Sequence, residues 1–280
     1  MRERVIAAAP EGVVEGAVEG AVEGVCVSPD GGSRAGVLVL SGSSGRVEAD
    51  RCRVPAGAGL TALTVRWFGA AGQPSDIREI PLETFTSAID LLLDTGVSRI
   101  GILGVSRGAE AALLTAVHDP RVAAVVALSP TSLTWGHVTH HSSWTWRGTP
   151  LPYVPYDETW SPVLAPDGRV AYRTLYERSR DRFRDAARRA AIPVERTAAD
   201  LVLVAGGADA MWPSLPFAHD LAARRPVTLL THPAAGHRIP LPGEPLLPPS
   251  PHHLHGGTPT ATTTLGTTAW PHITAALLGT

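Results

Sequence analysis

Three residues whose side chains can together cleave an acyl bond lie at separate points of the sequence. Ser106 stands in the run GVSRG at 104–108, which fits the G-x-S-x-G pattern of a nucleophile elbow. The apolar run RIGIL precedes this motif and the helix-forming run EAALLTAV follows it, which is the setting that the elbow requires. Its glycines allow close backbone packing, so the hydroxyl would project from a tight turn at a helix N-terminus. The motif predicts a nucleophile; the alternative is a structural serine in a turn.

A serine hydroxyl needs a neighbouring base, and two downstream residues complete the set. Asp209 follows the apolar run LVLVA and His237 follows the run VTLLT, so both are predicted on loops that end a strand. His237 would accept the proton of Ser106, and Asp209 would orient the imidazole, in the chain order typical of α/β-hydrolases. Other carboxylates and imidazoles lie off such loops or lack the flanking glycine. The less favoured candidates are Asp200, Asp220, His219 and His232.

Two backbone N–H groups are predicted to stabilise the negative charge of the reacting oxygen. One belongs to Arg107, directly after the nucleophile. The other would come from SGSSG at 41–45, which follows the apolar run GVLVL, with Ser43 or Ser44 as the donor. The alternative is that this small-residue run is only a polar turn.

The elements that must position these residues are six short apolar runs that alternate with helical patterns. Continuous rather than alternating apolar runs indicate strands buried on both faces of a parallel sheet. The pattern predicts an α/β-hydrolase fold with a mostly parallel, doubly wound sheet. The predicted strands lie at 36–40, 60–67, 99–103, 122–128, 201–205 and 227–231, and the clearest helices at 82–94 and 110–117.

A segment at about 130–196 interrupts this alternation of strands and helices and is predicted to form a lid over the sheet. Trp144, Trp146 and, beyond it, Trp212 are candidates for the wall of an acyl pocket; the alternative is that such aromatics only pack the lid. A charged helix at about 173–190 interleaves arginines with acids, which favours a self-paired solvated face over binding of coenzyme A phosphates. After it, 239–256 is predicted to be irregular and 271–278 to be a short helix.

Composition excludes several classes of protein. A length of 280 residues fits one catalytic domain at 25–280 after an N-terminal strand or tail at 1–24, where EGVVEGAVEGAVEG repeats at 11–24. A net charge of -2 argues against nucleic-acid binding. The two cysteines and the absence of a long apolar run predict a cytoplasmic protein without a membrane span. Histidines at 137–141 and 252–255 lack the other ligands of a metal site, and no cofactor motif appears, so no metal and no cofactor are expected.

With these residues in place, the chain resembles the catalytic domain of the acyl-CoA thioesterase and bile acid-CoA:amino acid N-acyltransferase family. The resemblance runs from about residue 25 to the end, and departs from the family at Ser41 and Ala208, which leaves loop geometry and substrate choice open. We expect the β-sandwich domain that often precedes this one to be absent. The segments that carry the resemblance are SGSSG, LETFTSAIDLLL, GVSRGAEAALL, SSWTWRGTPLPYVP, AIPVERTAADLVLVAGGADAMWPS, AAGHRI and GGTPTATTTLGTTAWPHITAAL.

The resemblance implies an acyl thioester, on coenzyme A or an acyl carrier, as the substrate. The family's amino-acid transferases resemble this chain but use cysteine at the elbow, whereas an acyl-serine is less activated toward amines. Ser106 therefore favours hydrolysis. The alternatives are an acyltransferase or cyclase, an esterase or lactonase, and a non-catalytic ligand-binding protein, against which the intact set of three residues counts. A homodimer is compatible with the sequence.

Overall fold

The structure is a computed structural model that describes residues 1–8, 22–162 and 164–280. Its strands, in chain order, are β1 (Arg2–Ala8), β2 (Val22–Ser28), β3 (Ala35–Leu40), β4 (Thr61–Val65), β5 (Ile80–Pro81), β6 (Arg99–Val105), β7 (Val122–Leu128), β8 (Trp144–Trp146), β9 (Thr149–Pro150), β10 (Asp200–Gly206) and β11 (Thr228–His232). Its helices are α1 (Ala49–Gly57), α2 (Glu83–Leu93), α3 (Arg107–His118), α4 (Arg173–Arg182), α5 (Arg184–Arg189), α6 (Ser214–Ala222) and α7 (Pro259–Leu278).

Within these residues, eight strands form one sheet in the order β1-β2-β4-β3-β6-β7-β10-β11. β2 pairs antiparallel with β1 and β4, and every pair from β4 to β11 is parallel. All six predicted strands are present, with ends shifted by a few residues. The predicted mostly parallel α/β-hydrolase architecture is therefore confirmed.

Helices cover both faces of the sheet and create two apolar cores. On one face α2 buries Phe85, Ile89 and Leu92, whose spacing places them on a single side of the helix. On the other face α1 and α7 pack with Cys52 and Leu265 among their buried residues. Apolar side chains project from both faces of the central strands into these cores. Polar and apolar residues therefore do not alternate along these strands.

The prediction for the last helix was wrong in extent, because α7 begins at Pro259 rather than near Pro271. The Thr258 hydroxyl accepts the N–H of Ala261 and caps the helix. Threonine and glycine have weak helix propensity, so the local pattern gave little signal there. Tertiary packing stabilises the helix instead, through a buried stripe at four-residue spacing. This stripe consists of Leu265, Ala269, Ile273 and Leu277.

The chain between β7 and β10 contacts the loop that follows β10 through Arg173, which donates to the carbonyl oxygens of Gly207 and Asp209. It contains β8 and β9, which extend β5 into a small second sheet, and the helices α4 and α5. A third apolar cluster, including Trp135 and Val154, joins this segment to Trp212 and Phe217 of the main fold. The predicted single charged helix is two helices, because the backbone leaves the helical region at Phe183 (φ -108°, ψ 49°).

The N-terminal region that the structure describes contains two strands. β1 and β2 form an antiparallel pair at one edge of the sheet, a pair that the sequence did not predict. Most of the predicted repeat strand, from 11 to 21, lies outside the described residues. In the ranges that the structure covers, no helix combines the length and the apolar character that crossing a membrane requires.

Candidate active site

Ser106 occupies a strained turn between β6 and α3. β6 ends at Val105 and α3 begins at Arg107, so the serine lies between strand and helix as the motif predicted. Its backbone adopts φ 56° and ψ -120°, a region that residues with a Cβ rarely visit. Such a conformation costs of order 1–3 kcal/mol and persists only where its surroundings enforce it. The turn leaves the serine partly exposed at the carboxyl edge of the sheet.

Two glycines make this turn sterically possible. A Cβ on Gly104 would lie 2.1 Å from the carbonyl oxygen of Gly108. A Cβ on Gly108 would lie 2.3 Å from the carbonyl oxygen of Ser41, in the loop that follows β3. The start of α3 therefore packs backbone to backbone against the predicted oxyanion loop, and no larger residue fits at either position.

Asp209 and His237 form a buried hydrogen-bonded pair. His237 Nδ1 and Asp209 Oδ2 lie 2.7 Å apart. The other carboxylate oxygen, Oδ1, accepts the N–H groups of Met211 at 2.8 Å and Trp212 at 3.2 Å, which holds the carboxylate in place. A carboxylate bound to Nδ1 leaves Nε2 as the nitrogen available for proton transfer. Both residues lie on loops after strands, β10 and β11, as predicted.

Ser129 links the nucleophile turn to the histidine loop. The Ser106 N–H donates to the carbonyl oxygen of Leu128 at the end of β7, 3.0 Å away. The hydroxyl of the next residue, Ser129, donates to the carbonyl oxygen of His237 at 2.7 Å. No hydrogen bond joins the Ser106 hydroxyl to His237 among the described residues; before substrate binds, such bonds are often long. Sequence reasoning missed Ser129, although it directly follows a predicted strand.

The loop after β3 approaches the nucleophile through Gly42. A Cβ on Gly42 would lie 3.3 Å from Ser106 Cβ, and Gly42 begins a turn in which its carbonyl oxygen accepts the N–H of Gly45 at 3.3 Å. Ser43 follows Gly42 directly and Ser44 lies one residue further round this turn. The backbone N–H of Arg107 lies in the first turn of α3, beside Ser106. The turn that carries Ser43 and Ser44 therefore approaches the serine through Gly42, and Arg107 adjoins the serine in the chain.

The Arg107 side chain turns away from the solvent into a buried polar cluster. Its Nη1 donates to Glu110 Oε2 at 2.6 Å, and Glu110 Oε1 accepts Trp135 N–H at 2.8 Å and Trp144 Nε1–H at 2.7 Å. Burial raises the pKa of the Glu110 carboxyl above its usual value, against the opposing charge of Arg107. Sequence reasoning missed this cluster, because it joins residues from separate elements.

The three predicted pocket tryptophans lie in different surroundings. Trp212 packs edge-to-face against His237 with ring centroids 5.9 Å apart and donates to the carbonyl oxygen of Ser129 at 3.1 Å. Trp144 of β8 is fully buried and packs against Trp67 and Phe85, with ring centroids 5.4 Å and 6.0 Å away. Trp146 stacks on His118 at 4.7 Å, at the opposite end of α3 from Ser106. The structure thus brings Trp212 to the histidine and Trp146 to a distant surface.

Arg173 and His255 also reach the acid and histidine loops. Arg173, the first residue of α4, donates from Nη1 to the carbonyl oxygens of Gly207 at 3.3 Å and Asp209 at 3.2 Å. The His255 ring stacks on His237 with centroids 6.0 Å apart, and the His237 N–H donates to the carbonyl oxygen of His255 at 2.9 Å. Burial, together with the nearby His237, lowers the pKa of His255 to about 4. Sequence reasoning missed both contributions, since each contact spans distant parts of the chain.

The less favoured candidates lie elsewhere. Asp200 begins β10 at the opposite edge of the sheet, Asp220 on α6 accepts the hydroxyl of Ser132, and His219 lies on α6. Within the ranges 1–8, 22–162 and 164–280, no group of three or more His, Cys, Asp or Glu residues could hold a metal ion.

A mostly parallel sheet, wound on both faces by helices and carrying a serine in an elbow turn at its carboxyl edge, defines the class of α/β-hydrolases. Within that class, the family model described as BAAT / Acyl-CoA thioester hydrolase C terminal matches residues 80–277, and the chain belongs to this family.

Two curated relatives agree with this assignment, and a solved structure shares the fold. The chain is 25% identical over 237 residues to human acyl-coenzyme A thioesterase 2, mitochondrial, covering 81% of this chain and 47% of that protein. It is 26% identical over 227 residues to mouse bile acid-CoA:amino acid N-acyltransferase, covering 78% of this chain and 52% of that protein. The chain thus spans about half the length of these curated relatives. The crystal structure of a proposed dienelactone hydrolase from Klebsiella pneumoniae shares the fold, with a TM-score of 0.62, 16% identity and coverage of 99% and 98% of the two chains.

Proposed function

We propose that this chain is a serine hydrolase that cleaves an acyl thioester, on coenzyme A or an acyl carrier, through an acyl-Ser106 intermediate. The observation that carries the proposal is the Asp209–His237 hydrogen bond of 2.7 Å, on loops beside a serine held at φ 56°. Family membership and the thioesterase relatives support the choice of substrate.

The proposed reaction has two halves. The Ser106 oxygen attacks the thioester carbonyl while His237 Nε2 accepts the hydroxyl proton. The C–S bond then breaks, the imidazolium returns the proton to sulfur, and the thiol leaves. In the second half His237 takes a proton from water, whose oxygen attacks the acyl-serine, and the carboxylic acid is released as the Ser106 hydroxyl is restored. Asp209 keeps the imidazole in the tautomer that both halves need.

Backbone N–H groups would stabilise the negative oxygen that forms in each half. We assign this role to Arg107 and to Ser43, the residue after the glycine that approaches Ser106 most closely. Ser44 is the second candidate in the same turn. The segment between β7 and β10 would act as the lid, with Trp212 the pocket residue nearest His237. The two unpaired, buried cysteines are compatible with a cytoplasmic location.

Intact-protein mass spectrometry during incubation with a panel of acyl-CoAs tests the proposal. The wild type is expected to gain an acyl adduct transiently or to release free coenzyme A, and Ser106→Ala is expected to do neither. Ser98→Ala, which removes an exposed hydroxyl at the opposite end of β6, is the matched control and should behave as the wild type. If Ser106→Ala releases coenzyme A as fast as the wild type, the acyl-serine mechanism is wrong.

Acyl transfer is the second candidate, because one of the matched relatives is an N-acyltransferase. An acyl-serine is an oxygen ester and reacts with amines more slowly than the acyl-cysteine of a transferase would. With glycine or taurine present, the free acid is therefore expected as the main product. Amide as the main product would favour the transferase.

A further inference from the structure

Three arginines gather where the loops that bracket Ser106 meet α1. Arg46 follows the Gly42 turn, and Arg238 immediately follows His237. Arg51 of α1 donates from Nη2 to the carbonyl oxygen of Ile239 at 3.3 Å, which fastens α1 to the histidine loop. The loop after β3 and the histidine loop thus each contribute one arginine, and the guanidinium groups of Arg46 and Arg51 lie near enough to act electrostatically on Arg238.

The carboxylates beside these three arginines do not balance their positive charge. Glu48 accepts Arg46 Nε at 2.9 Å. Glu244 accepts Arg51 through both oxygens, at 2.9 Å from Nε and 3.0 Å from Nη2. Arg238 has no carboxylate partner among the described residues; its Nη1 donates to the carbonyl oxygen of Pro248 at 2.8 Å. Three guanidinium groups therefore face two carboxylates, and the excess positive charge lies on Arg238.

The surroundings of Arg238 disfavour its positive charge, which an anion bound beside it would stabilise. Partial burial removes water from the guanidinium, and this burial, followed by the charge of Arg46, lowers the pKa of Arg238 below its usual value. Arg51 acts in the same direction, and the carboxylates of Glu48 and Glu244 oppose the shift without cancelling it. In addition, Arg51 Nη1 is buried and has no acceptor in the part of the chain that the structure describes. A planar guanidinium with free donors suits bidentate binding of a phosphate or a carboxylate.

We propose that Arg238, supported by Arg46, binds an anionic group of the acyl thioester beside the reacting bond. This group is either a phosphate of the thiol leaving group or a carboxylate on the acyl chain. The inference rests on the proposed function, and it makes the substrate an anionic thioester rather than a neutral one.

Kinetics of Arg238→Gln on three substrates test the proposal and distinguish the two sources of the anion. The substrates are a straight-chain acyl-CoA, the same acyl group on N-acetylcysteamine, which has no phosphate, and the dicarboxylic acyl-CoA of equal length. Loss of one charge-assisted contact is expected to lower kcat/KM for the anionic substrate, relative to the neutral one, by about 10- to 100-fold, mainly through KM. A fall for both CoA thioesters indicates a phosphate; a fall for the dicarboxylic substrate alone indicates a carboxylate.

An equal fall on all three substrates would mean that Arg238 only supports the fold, and no fall on any would mean that it binds nothing; either result overturns the proposal. Arg46→Gln is expected to act in the same direction with a smaller effect, because Arg46 already pairs with Glu48. Arg53→Gln is the matched control. This substitution removes an arginine of α1 that pairs with Glu3 and is more exposed than Arg238. It should leave the ratio of kcat/KM between the anionic and the neutral substrates unchanged.

A binding measurement separates this proposal from the proposed function. Ser106→Ala, alone and combined with Arg238→Gln, is titrated calorimetrically with free coenzyme A and with succinate. Binding of either ligand that weakens about 10-fold or more on loss of Arg238 supports the anion site even if no thioester is cleaved. Equal binding by both proteins, or no binding by either, overturns the site without bearing on Ser106.

Discussion

Arg107 and Glu110 form an ion pair inside the protein, one turn apart on the helix that follows the nucleophile. Their side chains are 5% and 0% exposed, and Nη1 lies 2.6 Å from Oε2. Glu110 also accepts the N–H groups of Trp135 and Trp144, and Arg107 Nη2 donates to the hydroxyl of Ser143. The residue whose backbone N–H is the proposed oxyanion donor is thereby joined through its side chain to the segment between β7 and β10.

We predict that Glu110→Ala strongly destabilises the protein. The substitution leaves the Arg107 guanidinium buried without its partner, which costs about 3–5 kcal/mol in the free energy of unfolding. It also leaves two tryptophan-derived N–H donors without an acceptor. Urea unfolding, followed by circular dichroism, measures the change.

The control for Glu110→Ala is Asp185→Ala, which breaks an ion pair with Arg188 at the same three-residue spacing but 75% and 74% exposed. Exposed pairs contribute at most about 1 kcal/mol, so this variant should unfold close to the wild type. Similar losses for both variants would show that the burial of the Arg107–Glu110 pair is energetically unimportant.

We predict that Gly104→Ala prevents the elbow from forming. The new methyl group would lie 2.1 Å from the carbonyl oxygen of Gly108, and neither backbone can move without disrupting the turn. Loss of soluble folded protein, or loss of Ser106 labelling by a fluorophosphonate probe, is the expected result. Gly57→Ala is the control, since its methyl group meets nothing within 4 Å. Normal labelling of Gly104→Ala would contradict the packing described for the elbow.

We predict that Asp209→Asn lowers kcat with little effect on stability. Asparagine keeps the shape of the side chain but favours the wrong imidazole tautomer, and the corresponding change in a serine protease costs on the order of 10⁴-fold in kcat. Asp200→Asn is the control, because it alters an exposed aspartate at the other end of β10. Steady-state rates with an acyl-CoA and thermal unfolding compare the two. An unchanged rate for Asp209→Asn would remove it from the proposed triad.

We predict that His255 weakens the protein in acid. Its pKa of about 4, against an ordinary 6.5, means that the unfolded chain binds a proton more readily than the folded chain. The stability of the wild type therefore falls as the pH drops through 6.5 toward about 4, and the decline ends below that value. Burial is the main cause, and the charges of His237, Arg238 and His253 act in the same direction, opposed by Asp209.

His255→Gln removes this contribution, so its free energy of unfolding should depend less on pH than that of the wild type between about pH 7 and pH 4.5. His272→Gln, on the exposed surface of α7, controls for the loss of a histidine. Urea unfolding of the three proteins across this range makes the comparison. Parallel pH dependence of the wild type and His255→Gln would show that His255 titrates normally in the folded chain.

The ion pairs of the charged helix show which contacts residue spacing can predict and which it cannot. Arg173 pairs with Glu177 within α4, as the spacing predicted. Asp181 and Asp185 likewise pair with Arg180 and Arg188. Arg178 and Arg182 both bind Asp157, which lies outside the helix, and the spacing did not predict these two contacts. Spacing along one helix identifies which pairs can meet, but it carries no information about a carboxylate that a distant loop brings to the same face.

The sequence by itself determined the six strands from β3 to β11 that it predicted, the doubly wound α/β architecture and the elbow at Ser106, because these follow from short runs of apolar residues and from glycine at two positions. Only the tertiary structure decided the Arg107–Glu110 cluster, the link from Ser129 to His237, the stacking of His255 on His237 and the arginine corner at Arg238. Each of these joins residues from elements far apart in the chain. Their energies depend on burial and on distances of a few ångströms, which arise only when the elements pack together.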